Sequence, residues 1–307
     1  MRLEGIHHVT AITGDAPANV AFYTGVLGLR LVAKSVNQDQ PTVYHLFYSD
    51  EVGSAGADIT FFEYPGAPRG RAGGGMVHRI VWRVGSTEAI DFWEERLGTL
   101  DDAYVVRDHN ALEFSDPEGL RHELIVSDAD GTLSAQHPEV PPEHALRGFD
   151  GVRMFSMRPE QSAHMLTEIM GATAHGGHVF ELRGERRGGT IAFDPPPHAR
   201  GLQGGGTVPH VALGTTAAEH PRWEEHLRGA GVDTSGIVDR HYFHSIYYRE
   251  PGGILYEIAD DAPGFTVDGP VEELGTKIIL PPWYEPQRAT IEQQLTPLPD
   301  PRAAWGT

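Results

Sequence analysis

Residues 5–10 read Gly5-Ile6-His7-His8-Val9-Thr10, and this short apolar pattern returns three more times along the chain. A pattern that recurs in this way means that one supersecondary unit is built several times, so it decides the fold. Aligned on their apolar positions, the four openings bring His8, His78, Gly151 and His210 into one position of the repeat. The other openings are Met76-Val77-His78-Arg79-Ile80-Val81, Phe149-Asp150-Gly151-Val152-Arg153-Met154 and Val208-Pro209-His210-Val211-Ala212-Leu213.

Each opening leads into a helical pattern and then into short β-rich runs, which predicts a β-α-β-β-β module. Asp15, followed by Pro17, predicts the beginning of the first helix, because aspartate caps a first turn and an early proline fits it. The second and fourth modules share a turn between their last two strands, and these turns are Asp116-Pro117-Glu118-Gly119 and Glu250-Pro251-Gly252-Gly253. The predicted strands cover 6–12, 29–36, 43–48 and 58–64 in module one and 77–84, 103–107, 111–115 and 121–126 in module two. The predicted helices end at Gly28 in module one and cover 87–97, 160–170 and 217–228 in the other modules.

Four such modules predict an α+β protein of two domains. The polar and proline-bearing segment 128–147 separates modules two and three, and the glycine-rich segment 195–206 separates modules three and four. We therefore expect residues 1–147 to hold modules one and two, and residues 148–262 to hold modules three and four. The proline-rich tail, residues 263–307, is expected to pack across a groove or across a partner subunit, and the latter would make a homo-oligomer.

Composition excludes several classes of function. The formal net charge of −19 argues against nucleic acid and against an anionic membrane as partners, because phosphate binding needs clustered cations. The chain has no cysteine and 17 histidines, so imidazole is the available nitrogen ligand and thiolate metal sites are excluded. No long apolar run or secretory leader is visible, so a cytoplasmic location is expected.

Carboxylates recur where the modules end. Three modules close on an apolar run that carries Glu63, Glu123 or Glu257. The interval from opening histidine to closing glutamate is 45 residues from His78 to Glu123 and 47 residues from His210 to Glu257. This similar spacing implies equivalent positions in the sheet. One imidazole and one carboxylate per module indicate a metal site.

Modules that face each other would combine these groups. Because strand residues alternate between faces, His7 and His8 cannot both point at one site, and the alignment selects His8. Modules one and four would supply two imidazoles and a carboxylate, enough for a divalent transition metal; these are His8, His210 and Glu257. Modules two and three would supply at most His78, Glu123 and Asp194, because Gly151 replaces the histidine, so that site is expected to be empty. A pairing of module one with two and of three with four would separate His8 from His210, and the sequence leaves this choice open.

Two longer stretches carry a resemblance to a known family. They are Phe22-Tyr23-Thr24-Gly25-Val26-Leu27-Gly28-Leu29-Arg30-Leu31-Val32 and Asp239-Arg240-His241-Tyr242-Phe243-His244-Ser245-Ile246-Tyr247-Tyr248-Arg249-Glu250-Pro251-Gly252-Gly253-Ile254-Leu255-Tyr256-Glu257-Ile258. With the opening at Gly5, they resemble the vicinal oxygen chelate superfamily, and more narrowly its hydroquinone and catechol ring-cleaving dioxygenases. The resemblance extends from Gly5 to the stretch Leu280-Pro281-Pro282-Trp283 in the tail.

The resemblance implies a vicinal oxygen chelate fold, in which four βαβββ modules form two curved mixed-sheet half-barrels. It also implies an extradiol-type reaction of a small aromatic diol with O₂ in a cleft between modules one and four. Fe(II), with Mn(II) as the alternative, would be held by His8, His210 and Glu257. Substrate contacts, hydrogen bonding or proton transfer would fall to Tyr247, Arg240, His244 and Thr10.

Two departures from the family pattern leave alternatives open. Pro209 stands where relatives carry a second histidine, so a relay role would move to His241 or His244, of which at most one can face the pocket. Glu63 could act as a fourth ligand, as in glyoxalase-type lyases and isomerases, and would then leave fewer positions for substrate and O₂. A third class is a non-catalytic protein that binds an aromatic compound in the same fold.

Overall fold

The computed structural model describes residues 1–101, 103–303 and 305. Module one contains β1 (Ile6–Thr13), α1 (Ala16–Val20) continued by a π-helical segment (Ala21–Val26), β2 (Arg30–Asn37), β3 (Gln40–Ser49) and β4 (Asp58–Glu63). Module two contains β5 (Met76–Val84), α2 (Thr87–Gly98), β6 (Val105–Asp108), β7 (Ala111–Ser115) and β8 (Arg121–Val126). Module three contains β9 (Phe149–Phe155), α3 (Pro159–His164) continued by a π-helical segment (Met165–Ile169), β10 (Thr173–Ala174), β11 (Val179–Arg183) and β12 (Gly188–Phe193). Module four contains β13 (His210–Gly214), α4 (His220–Gly229), β14 (Thr234–Asp239), β15 (His244–Arg249) and β16 (Leu255–Ala259), and α5 (Arg288–Glu292) lies in the tail.

These strands form two eight-stranded mixed sheets. The first sheet has the order β14-β15-β16-β13-β1-β4-β3-β2 and joins modules four and one, whereas the second has the order β10-β11-β12-β9-β5-β8-β7-β6 and joins modules three and two. In every module the first and last strands are parallel neighbours, and the first strands of two modules meet antiparallel at the sheet centre. The predicted α+β fold of four modules in two curved mixed sheets is confirmed. Each sheet takes one module from each half of the chain, so residues 1–147 and 148–262 both contribute to both sheets.

Local sequence signals explain where the helices begin. The Asp15 side chain accepts a hydrogen bond from the backbone of Ala18 at 3.0 Å, as the capping pattern predicts. Ser86 caps α2 in the same way. Along α2 the buried positions share one face of the helix and pack against the second sheet; they are Ala89, Ile90, Trp93 and Leu97.

The matching turns also tie consecutive modules together. Asp116 accepts hydrogen bonds from the backbone of Leu120 and from the hydroxyl of Tyr23, which lies in module one. Glu250 accepts one from Ser162 of module three at 2.5 Å. The carboxylate of each turn is thus used by the neighbouring module as well as by its own turn.

The tail packs along β2 at the edge of the first sheet. The backbone of Ile279 donates to the carbonyl of Lys34 at 2.8 Å, and the Lys34 ammonium donates to the carbonyl of Leu298 at 3.1 Å. The hydroxyl of Tyr284 donates to the carbonyl of Gln38 in the β2–β3 turn. The tail therefore closes one side of the first sheet with contacts from its own chain. None of the described helices has the length and apolar character needed to cross a membrane.

Candidate metal centre

Three buried side chains of the ligand type converge on one face of the first sheet. Glu257 Oε2 lies 3.2 Å from His8 Nε2 and 3.1 Å from His210 Nε2. One ligand atom from each side chain lies within 4.8 Å of the other two. Glu257 Oε2 is buried without a hydrogen bond of normal geometry, although such oxygens are normally paired. A buried carboxylate oxygen that lies 3.1–3.2 Å from two imidazole nitrogens, without a hydrogen bond of normal geometry, fits a site for a bound cation.

Strand register produces this convergence. His8 in β1 lies opposite Ala212 in β13, and Ala212 lies opposite Glu257 in β16, so these three residues form a row across the sheet. His210 precedes Ala212 by two positions and therefore shares its face. The small side chain of Ala212 leaves room between His8 and Glu257. Ser245 on the next strand donates to Glu257 Oε1 at 2.5 Å and orients the carboxylate.

The electrostatics keep the carboxylate ionised. Burial alone would raise the pKa of Glu257, but the two imidazoles beside it hold the pKa well below its ordinary value. Burial lowers the pKa of His210 in spite of the neighbouring carboxylate. A carboxylate and a neutral imidazole are the forms that bind a metal.

His7 is not one of the three candidate ligands, but it contacts one of them. The register of β1 against β13 shifts between Ile6 and His8, so His7 sits in a β-bulge and strict alternation fails there. Its Nδ1 lies 3.0 Å from His8 Nδ1. Burial, together with the charges of His8 and Arg187, lowers the pKa of His7 to about 3, so the ring is neutral.

A cavity of about 260 Å³ opens beside the three ligands. This is small compared with the 300–1,000 Å³ of typical drug-sized pockets and suits a single ring. Its aromatic walls come from Phe47, Phe62 and Phe243, and its polar lining includes three of the residues predicted from the sequence, namely Thr10, Arg240 and Tyr247. The cavity therefore combines an aromatic slot with hydrogen-bonding groups next to the candidate metal site.

The hydroxyl of Tyr247 is held as a donor. Arg240 Nε donates to the Tyr247 oxygen at 3.1 Å, and a guanidinium cannot accept, so the phenolic proton is free for another acceptor. Burial and the nearby Glu257 raise the pKa of Tyr247, which keeps the hydroxyl protonated. The Tyr247 ring also packs edge-on against His210.

His45 is a cavity residue that the sequence analysis missed. Its Nε2 lies 3.0 Å from the Thr60 hydroxyl, and Thr60 in turn donates to Thr10. Because the single Thr60 proton is used on Thr10, His45 Nε2 is the donor and Nδ1 keeps its lone pair. Burial holds the pKa of His45 well below its ordinary value, so the ring is neutral. The only available signal was its alternation with Phe47 in β3, because no other module repeats this histidine.

The structure does not bring His244, His241 or Glu63 to the cavity. His244 points to the opposite face of β15 from Tyr247, where its Nδ1 lies 3.1 Å from Asp260. His241 is bonded instead to Asp268 at 2.8 Å. Glu63 faces away because Phe62 takes the cavity side of β4, and its Oε1 accepts from the backbone of Ala16 at the beginning of α1. No fourth protein ligand is formed by Glu63.

The corresponding face of the second sheet has no such cluster among the described residues. His78 Nε2 lies 2.8 Å from Asp194, and Glu123 pairs with Arg79 at 3.1 Å. The second sheet has its bulge between Val77 and Arg79, so Arg79, rather than His78, is the structural counterpart of His8. The alignment of His78 with His8 on apolar positions was wrong by one residue, because a bulge inserts a residue that sequence patterns do not reveal.

Comparison with known proteins identifies the family of this chain. A family model described as the Glyoxalase/Bleomycin resistance protein/Dioxygenase superfamily matches residues 5–124. Over 97% of its length the chain is 40% identical to the whole of the Bacillus subtilis (strain 168) protein named "Putative ring-cleaving dioxygenase MhqA". The chain belongs to this superfamily.

Further superfamily members support the same placement. The chlorohydroquinone/hydroquinone 1,2-dioxygenase of Sphingobium indicum is 30% identical to the chain, and the match covers 92% of the chain and 93% of the relative. A crystal structure titled as a "putative dioxygenase" from Bacillus subtilis matches with a TM-score of 0.90 and 38% identity, over 97% of the chain and 98% of the structure. Glyoxalase I from Zea mays, at 14% identity and a TM-score of 0.55 over 84% of the chain and 92% of the structure, shares the fold alone.

Proposed function

We propose that the protein is a ring-cleaving dioxygenase that opens a dihydroxyaromatic ring, with Fe(II) in the candidate metal centre and Mn(II) as the alternative ion. The observation that carries the proposal is the convergence of His8, His210 and Glu257 beside a cavity of single-ring size. The relatives named as ring-cleaving dioxygenases support the reaction class. The relative named for chlorohydroquinone and hydroquinone favours hydroquinone over catechol as the substrate.

The donor set fits this metal. Two imidazoles and one carboxylate on one face of an ion are typical of non-haem Fe(II) oxygenases and leave positions open for substrate and O₂. The bound ion would supply the redox chemistry that allows an aromatic ring to react with O₂. Because Glu63 is used at the helix α1, it does not occupy one of those positions.

His45 would accept the first proton. A diol must lose a hydroxyl proton to become electron-rich, and His45 is neutral with a free Nδ1 in the cavity lining. The hydroxyls of Thr60 and Thr10 hold the His45 ring in the tautomer that leaves Nδ1 as the acceptor.

Tyr247 and Arg240 would hold the developing anion. Tyr247 can donate its phenolic proton as a hydrogen bond to a substrate oxygen, because its own oxygen already accepts from Arg240. The guanidinium adds positive charge at the same end of the cavity. The ring of the substrate would lie between the aromatic walls of Phe47, Phe62 and Phe243, which exclude water.

Oxygen uptake tests the proposal. Protein loaded anaerobically with Fe(II) should consume one O₂ per ring opened when it is given hydroquinone, and ¹⁸O₂ should place both labelled atoms in the product. His45→Gln should lower kcat by about 100-fold through loss of the base, whereas His244→Gln, on the other face of the strand, should retain activity. No oxygen uptake with any aromatic diol, together with turnover of a thiol adduct supported by Ni(II) or Zn(II), would overturn the proposal in favour of a lyase.

A further inference from the structure

We infer that His7 is a positioning residue: it accepts a hydrogen bond from His8 Nδ1 and so presents His8 Nε2 to the metal, and a hairpin of the second sheet holds it there. The metal part of this inference rests on the proposed function. The hydrogen bond itself and its direction are properties of the protein alone.

The β-bulge brings the two imidazoles together. The rings of His7 and His8 meet edge-on, with centroids 5.1 Å apart and an interplanar angle of 82°. Their Nδ1 atoms are 3.0 Å apart, which is a hydrogen-bond distance. Two residues that are adjacent in an unbroken strand would point to opposite faces, so the bulge is what permits this contact.

The other side of the His7 ring fixes the direction of the hydrogen bond. His7 Nε2 lies 3.0 Å from the carbonyl oxygen of Asp260 and 3.5 Å from the carboxylate of Asp261. Both are acceptors, so Nε2 must carry the proton. A neutral imidazole has one N–H, and His7 Nδ1 is therefore an acceptor. The proton between the two rings belongs to His8 Nδ1, which leaves His8 Nε2 as the atom directed at Glu257 and the metal.

This arrangement is a longer version of a common feature of metal sites. A metal-binding histidine usually donates its second N–H directly to a carboxylate or a backbone carbonyl, and this partner fixes the tautomer and the ring orientation. Here a second imidazole stands between the ligand His8 and the carbonyl of Asp260. The Asp260 carbonyl therefore fixes the orientation of the His7 ring, and His7 in turn fixes the orientation of the His8 ring.

The second sheet supports His7 from outside. Arg186 and Arg187 lie in the turn between β11 and β12, and both pair with Asp261; the Arg187 contact measures 3.0 Å. Arg186 Nε also donates to Glu4, just before β1, at 2.7 Å. At Gly5, with φ of 74°, a Cβ would lie 2.3 Å from the backbone of Gly188, so only glycine allows this close approach. The hairpin is thus locked onto both segments that hold His7.

Nuclear magnetic resonance of uniformly ¹⁵N-labelled protein tests the hydrogen bond directly. In the Zn(II)-loaded and in the metal-free protein, we expect His7 to be the Nε2–H tautomer, with coupling across the hydrogen bond from His8 Nδ1 to His7 Nδ1. The signals are assigned by their loss in His7→Asn. A His7 ring protonated at Nδ1, or no coupling between the two nitrogens, would overturn the inference.

Metal affinity measured by titration with Co(II) tests the consequence. His7→Leu removes the acceptor and should weaken binding by about 10–100-fold, the usual effect of losing a group that orients a ligand. His7→Asn, whose amide oxygen can accept in place of Nδ1, should restore most of the affinity. The matched control is His78→Leu, at the bulge of the second sheet, which should bind Co(II) as the wild type does.

The outcomes separate this inference from the proposed function. Unchanged affinity in a folded His7→Leu variant, or equal losses in His7→Leu and His7→Asn, would overturn the positioning role. Wild-type protein that shows the predicted hydrogen bond but binds neither Co(II) nor Fe(II) would contradict the proposed metal centre and leave the His7 tautomer established.

Discussion

The same row of positions crosses both sheets and carries different chemistry in each. Aligned on the bulge of the central strands, His8, Ala212 and Glu257 of the first sheet correspond to Arg79, Arg153 and Ala192 of the second. In the first sheet a small residue separates two candidate ligands, and one buried carboxylate oxygen has no hydrogen bond of normal geometry. In the second sheet two guanidinium groups occupy the row.

The arginines of the second sheet form ion pairs with its carboxylates. Arg79 pairs with Glu113 at 2.6 Å and with Glu123 at 3.1 Å, and Arg153 pairs with Asp194 at 2.5 Å. A carboxylate that is already matched by a fixed cation has no free charge to attract an ion. The presence of histidine and glutamate at repeated positions therefore does not identify a metal site. The proposed centre rests instead on a buried carboxylate oxygen that lies between two imidazoles without a hydrogen bond of normal geometry.

The largest expected effect is the loss of metal binding when Glu257 is replaced by glutamine, with the same change at Glu123 of the second sheet as the control. Glu257→Gln should abolish tight binding of a divalent metal, because it removes a direct ligand. The loss of affinity should exceed the about 10–100-fold that is typical when a residue hydrogen-bonded to a ligand is changed. Glu123→Gln, at the equivalent position of module two, should leave binding unchanged. Elemental analysis after anaerobic loading with Fe(II) measures both. Metal loss in Glu123→Gln would break the distinction between the sheets.

Gly151 offers a test of why the second sheet lacks a histidine at the position equivalent to His210. A Cβ at this position would lie 2.2 Å from the backbone oxygen of Thr190, whereas His210 fills the equivalent position in the first sheet. Gly151→Ala should therefore lower the free energy of unfolding by about 1–3 kcal/mol through overpacking, without a change in metal affinity. The control is Gly98→Ala, at the end of α2 in module two, where a Cβ would meet open space. Equal stabilities of the two variants in urea denaturation would show that crowding at Gly151 does not exclude a larger residue.

The sequence predicts the features that follow a regular pattern and misses those that depend on one local residue. The boundaries of β7 and β8 were predicted to the residue, because apolar alternation is regular there and the turn at Asp116 is unambiguous. The grouping of His8, His210 and Glu257 followed from the repeat and from the family resemblance. These features depend on patterns that extend over many residues.

The exceptions depend on single residues. The bulges at His7 and at His78 shift the register by one, and nothing in the apolar pattern marks them. His45 has no counterpart in the other modules, so the repeat could not reveal it. The sequence left Glu63 open as a fourth ligand. It is instead buried and accepts a hydrogen bond from the first turn of α1, which depends on how α1 packs on β4.

His122 makes the stability of the second sheet depend on pH. This buried ring of the second sheet accepts from Trp82 Nε1 and contacts the Tyr23 hydroxyl, and burial lowers its pKa to about 3. Because the unfolded chain binds the proton below pH 6.5 and the folded chain does not, this histidine makes stability fall as the pH drops below that value. At pH 5 the loss amounts to about 2 kcal/mol. His122→Gln should lose that much less stability than wild type between pH 7.5 and pH 5, and equal losses in urea denaturation would show that His122 titrates normally.

The smallest effect is expected at Glu63. Glu63→Gln keeps an acceptor for the backbone of Ala16 and lies outside the metal centre, so iron content and oxygen uptake should stay near those of wild type. Oxygen-electrode assays and elemental analysis check this. Loss of both metal and turnover in this variant would make Glu63 a fourth ligand and favour the lyase alternative.

Anomalous X-ray diffraction at the iron edge, from crystals loaded anaerobically with Fe(II), tests the difference between the two sheets most directly. We expect one anomalous peak per chain, from an ion bound by His8 Nε2, His210 Nε2 and one Glu257 oxygen at about 2.0–2.3 Å. A peak between His78, Glu123 and Asp194 of the second sheet, or a first-sheet ion bound by Glu63, would contradict this expectation.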